Sequence, residues 1–86
     1  MSYSYATERE KVFTEDGQVM FLKIRDKARS LIEQAGAVTA GNLMVTGDGW
    51  TALACMDRLV ELGELVEVPN PVSKWGQHRI FVRPQR

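Results

Sequence analysis

At 86 residues, 44% of them hydrophobic and with a net charge of zero, the chain suits one small domain that buries a modest core. No apolar run approaches the roughly 20 residues of a membrane span, and the polar start Met1-Ser-Tyr-Ser-Tyr is not a signal peptide, so a soluble, non-membrane protein is expected. The single cysteine excludes an intrachain disulfide and points to a reducing, cytoplasmic compartment; no metal-ligand cluster is present and no cofactor is expected.

Residues 1–14 show no sustained period and are expected as a flexible or partly ordered lead, with residues 15–86 as the domain. Asp16 is the expected cap of a first helix that runs to Ala35 and stops at Gly36. Placed at about 100° per residue, Met20, Phe21, Ile24, Ala28, Leu31, Ile32 and Ala35 share one arc. Val19 and Leu22 fall outside it, either as a dimer contact or as ordinary exposed apolar residues.

Ala37-Val38 reads as a short extended piece, and Thr39 caps a brief second helix from Ala40 to about Val45. A Thr46-Gly47-Asp48-Gly49 turn follows, with Asp48 as the cap of a third helix over residues 50–62 and Gly63 as its stop. Ala52, Leu53, Cys55, Met56, Leu59, Val60 and Leu62 lie on its packed arc; Trp50, Thr51, Ala54, Asp57, Arg58 and Glu61 lie on a presented arc. Glu64 to Val68 and His78 to Val82 read as two strands, the second with Ile80 and Val82 on one face. The intervening Pro69-Asn-Pro-Val-Ser-Lys-Trp-Gly76 is turn chemistry.

The order helix, short strand, helix, turn, helix, strand, loop, strand resembles the winged helix-turn-helix superfamily. Leu31, Ile32, Leu43, Ala52, Met56, Leu59 and the run Leu59-Val-Glu-Leu-Gly-Glu-Leu-Val66 carry the likeness. It covers about residues 16–83 and is one of fold rather than of a particular protein. The resemblance implies an α+β fold, a small winged helix of three helices plus a C-terminal β-hairpin wing. It also implies a third helix in a DNA major groove and a 69–77 loop, the wing, touching the backbone or minor groove.

Charge is distributed unevenly. Residues 36–70 sum to −4 and residues 71–86 to +4, so an anion would be drawn to the tail. The presented arc has Arg58 as its one cation, while Asp57 and Glu61 would repel phosphates, which departs from the donor-rich surface that base readout needs. Lys74, Gln77, His78 and Arg79 instead surround Trp75, a device for gripping a backbone and stacking on a base or sugar. Trp75 has the alternative of folding back over the sheet as a core lid.

Two functions follow. The first is a small DNA-binding transcriptional regulator or accessory factor, expected as a homodimer on double-stranded DNA. Thr51, Ala54 and Arg58 would sit at the groove and Lys74, Trp75, Gln77, His78 and Arg79 on the flank. The alternative is a protein-protein interaction module on the same fold, with Trp50, Asp57 and Glu61 as the partner-facing patch. For a chain this short, bacterial or phage origin is an expectation from size alone. With no glycine-rich phosphate loop after a strand and no Ser/His/Asp or Cys/His arrangement, enzymatic activity is not expected.

Overall fold

The computed structural model describes residues 3–44, 48–69 and 79–84. It is an α+β domain of four helices and a three-stranded antiparallel sheet. Among the described residues no helix is long and apolar enough to cross a membrane.

The N-terminal stretch, expected as a flexible or partly ordered lead, carries a helix α1 (Tyr5–Glu8) and a 3-10 turn (Arg9–Phe13) whose Val12 is completely buried. This adds a helix to the three read from the sequence. Helix α2 spans Glu15–Ala35. Its cap is Thr14 rather than Asp16: the Thr14 Oγ1 accepts from the Gly17 N–H at 3.0 Å, which leaves Asp16 in the first turn. Gly36, at φ +83°, ends α2 where expected and donates its N–H to the Ile32 carbonyl at 2.7 Å.

Strand β1 (Ala37–Thr39) leads into α3 (Ala40–Leu43), capped by Thr39 through the Asn42 N–H. This helix ends two residues before the expected Val45, because Met44 turns extended. Helix α4 spans Gly49–Glu61 and is capped as expected by Asp48, which accepts from the Trp50 N–H at 3.1 Å. At its far end Gly63, at φ +77°, donates to the Val60 carbonyl and Glu64 donates to that of Leu59. These two bonds occupy carbonyls that the helix end would otherwise orphan.

Strands β2 (Val66–Val68) and β3 (Ile80–Val82) pair antiparallel. The expected two-stranded hairpin is the larger part of a sheet ordered β1-β3-β2, since β1 also pairs with β3, placing Val38 opposite Phe81. Val38 and Phe81 point into the core, whereas Ala37, Thr39, Val66, Val68, Ile80 and Val82 share the opposite face. Ile80 and Val82 thus do share a face, but Phe81 between them is the strand's core residue.

Helix α4 lies at the centre. Six consecutive residues, Thr51 to Met56, are buried, so the helix is enclosed on every side over that stretch. Helix α2 packs against it on one flank and the N-terminal segment on another. The three meet at Gly17, which has no room for a side chain. A Cβ there would stand 1.9 Å from the Lys11 carbonyl oxygen and 2.8 Å from that of Val12. The Gln18 amide donates to the same Val12 carbonyl at 2.6 Å, and the Cys55 thiol lies 3.8 Å from the Gly17 oxygen.

Candidate interaction site on helix α4

Residues 50, 54, 57, 58 and 61 form one stripe along α4, at the spacing that keeps side chains on a common helix face. Its members were expected to face a partner or a DNA groove. The chain's own N-terminus occupies that face instead. The Tyr3 hydroxyl donates to Asp57 at 2.6 Å, the Tyr5 hydroxyl to Glu61 at 3.0 Å, and the Arg9 guanidinium to Glu61 at 3.1 Å. Phe13 lies beneath the guanidinium groups of both Arg9 and Arg58, 5.0 Å and 5.1 Å from its ring centre.

The expected contact residues of α4 are placed as follows. Trp50 is half-buried and packs against the core. Thr51 is buried, and its hydroxyl donates to the capping Asp48 at 2.9 Å. That bond, followed by the Trp50 N–H, holds the Asp48 carboxyl below the usual carboxylate range. Ala54, at 0% exposure, cannot meet a base edge in this conformation. Arg58 donates to Glu61 at 2.6 Å. Three groups converge on the Glu61 carboxylate, and its pKa falls to about 2, through the hydrogen bond from Arg9 first and that from Arg58 second.

Arg79, expected as a phosphate contact on the wing, is the hub of a second network. It grips Asp57 with both terminal nitrogens and Glu67 with Nε at 2.9 Å and Nη2 at 2.7 Å, and it lies over the Phe81 ring. Its side chain is 16% exposed and that of Asp57 17%. Burial works against the Arg79 charge, but the bonds to Glu67 and Asp57 outweigh it and hold the guanidinium pKa above its ordinary value. Burial also pushes the Tyr3 phenol up, and its bond to Asp57 adds to that. The peptide N–H of Ala40 bonds to the Arg79 carbonyl at 2.8 Å, so the start of β3 is fixed to α3 as well.

Lys74, Trp75, Gln77 and His78 lie outside the described residues. From the sequence-derived set the structure therefore pairs Asp57 with Arg79 and Arg58 with Glu61. The acidic excess of residues 36–70 finds its counter-charges inside the fold: Arg9 on Glu61, Arg29 on Glu64, Arg79 on Asp57 and Glu67. Sequence reading passed over Tyr3, Tyr5, Arg9 and Phe13. The surplus of four acids in the central segment points to no particular donor, since exposed carboxylates are satisfied by water.

The Cys55 thiol is completely buried, and burial pushes its pKa to about 11. Among the described residues no group of three or more His, Cys, Asp or Glu side chains is placed to hold a metal ion. Comparison of the chain with protein-family models, with curated proteins and with solved structures gives no match.

Proposed function

We propose that this chain is a winged-helix module that works by protein–protein contact, with α4 as its structural axis rather than as a reader of DNA. The succession α2, β1, α3, α4, β2, β3 and the sheet order β1-β3-β2 support the winged-helix plan. One observation carries the choice against DNA: residues 3–13 engage the α4 stripe, and its charged members are held by that segment, by one another and by Arg79; the same cover withdraws Asp57 and Glu61 from a protein partner, so the contact surface lies off this stripe. To enter a groove, α4 would have to shed the segment, which would strip Tyr3 from Asp57 and Tyr5 and Arg9 from Glu61 and turn both carboxylates toward the phosphates.

A DNA-contacting wing is the second reading. Lys74, Arg83 and Arg86, in a segment with no acid, favour it, and Arg83 is exposed and without an ion pair among the described residues. Titration of isotope-labelled protein with mixed-sequence duplex DNA, at low and at near-physiological salt, separates the two. Protein contact predicts unmoved amides over residues 50–61 at both salts. Salt-sensitive shifts along α4, accompanied by changes at Tyr3 and Tyr5, would overturn the reading; shifts confined to residues 74–83 would replace it with the wing.

A further inference from the structure

The N-terminal segment is held to the rest of the chain in two different ways. Its inner part, the 3-10 turn, is fixed by groups close to it in sequence. Val12 is completely buried, its carbonyl accepts from the Gln18 amide, and the Thr14 hydroxyl donates to the Lys11 carbonyl at 2.7 Å. The outer part, Tyr3 and Ser4 with helix α1, supplies no residue to the buried apolar core. Tyr3 and Tyr5 rest against that core half-buried, and their hydroxyls reach Asp57 and Glu61, 54 and 56 positions away.

Helix α1 has four residues, too few to stay helical in water without support. Parted from α4 it melts, and two amide bonds go with it, from the Glu8 N–H to the Ser4 carbonyl at 3.0 Å and from the Arg9 N–H to the Tyr5 carbonyl. The groups it leaves keep other partners. Asp57 retains Arg79, Glu61 retains Arg9 and Arg58, and Lys11, parted from Glu8, stands 3.6 Å from Asp48. The Glu8 carboxylate, 5% exposed when the helix is seated, regains water. An element with few buried apolar contacts opens at a lower free energy than the whole domain.

We infer that residues 3–8 are a clasp that leaves and rejoins α4 as a unit of its own, while the 3-10 turn stays on α2. In the open form the Asp57–Glu61 end of the α4 stripe lacks only its two phenol donors. A partner segment would reach that end only then, and would have to bring two hydrogen-bond donors about 6 Å apart, the rise over four helical residues. The closed clasp is an intramolecular occupant that withholds this end of the helix. The inference goes beyond the protein-contact reading and holds whichever partner the chain has.

The test is native-state amide exchange of the full chain, followed by NMR at urea concentrations below the melt. Protection at Glu8 and Arg9 should be at least 10-fold lower than at residues 55–60 of α4 and nearly independent of urea, because their opening exposes little surface. Ile32→Val, a core truncation at the far end of α2, should lower protection in α4 roughly 5-fold and leave Glu8 and Arg9 unchanged, since it weakens the open and closed forms alike. Tyr3→Phe removes a hydrogen bond to a carboxylate in the closed form alone, and should lower protection at Glu8 and Arg9 roughly 10-fold. Protection at these two amides that matches α4 and falls with urea alongside it would overturn the inference. So would a loss there in Ile32→Val, or no loss there in Tyr3→Phe.

Discussion

Replacing Gly17 with alanine tests the packing of the N-terminal segment directly, because two effects oppose each other there. In an ordinary helix position the change favours folding by up to about 1 kcal/mol. Here the new methyl would stand 1.9 Å from the Lys11 carbonyl oxygen, so the 3-10 turn must lift from α2. Lifting exposes Val12, now fully buried, at about 2 kcal/mol for a side chain of that size. It also breaks the bond from Gln18 to the Val12 carbonyl, for about 1 kcal/mol more. Set against the propensity gain, the expected net loss is about 2 kcal/mol, or on the order of 10 °C in Tm for a domain this small. Urea and thermal melts followed by circular dichroism give the size, and amide exchange gives the place, with protection lost first over residues 5–13. Equal or higher stability for Gly17→Ala would refute the close approach of the turn to α2.

Arg79→Ala should cost about 2 kcal/mol, short of the full figure for a buried pair because a sixth of each partner still meets solvent, and Asp57→Asn in the same chain should recover part of the loss; a double-mutant cycle by urea melts reads the coupling. Glu61 is held at about 2 in the folded chain against 4.5 for a free carboxyl, so its contribution is complete above pH 4.5 and fades as the pH falls toward 2. Acid melts of Glu61→Gln should accordingly be flatter in that window than wild type, and an identical pH profile would remove the Arg9–Glu61–Arg58 cluster from the account of stability. Cys55 should resist alkylation at pH 8 until the protein unfolds, as followed by mass spectrometry, and rapid labelling of the native protein would contradict its burial.

What the sequence disclosed is local. Thr39, Asp48, Gly36 and Gly63 are caps and stops whose partners lie within a few residues, and all four act as such. The cap of α2 was misplaced because Thr14 and Asp16 are two acceptors in competition, and only the extended backbone at Thr14 decides between them. The expected strand His78–Val82 had Ile80 and Val82 on one face, and Phe81 between them is the residue that turns inward, because alternation alone does not say which face is the core face. The site is a mixed case. Asp57, Arg58, Glu61 and Arg79 stand out as charged groups near an apolar helix, yet their roles depend on Tyr3, Tyr5 and Arg9, which no periodicity links to α4. Ala54 reads as presented on a helical wheel because the wheel cannot know what lies over it.

The seat of the N-terminal segment also orders events in time. Tyr3 and Asp57 are 54 positions apart, so the contact closes a loop spanning most of the chain. During synthesis the segment emerges first and can lie on α2, but Tyr3, Tyr5 and Arg9 have no partners until residues 57–61 have followed. Those contacts therefore form late, and a chain lacking residues 1–13 would carry the outer flank of α4 bare. That uncovered flank is the surface through which such a truncated chain would meet chaperones or aggregate.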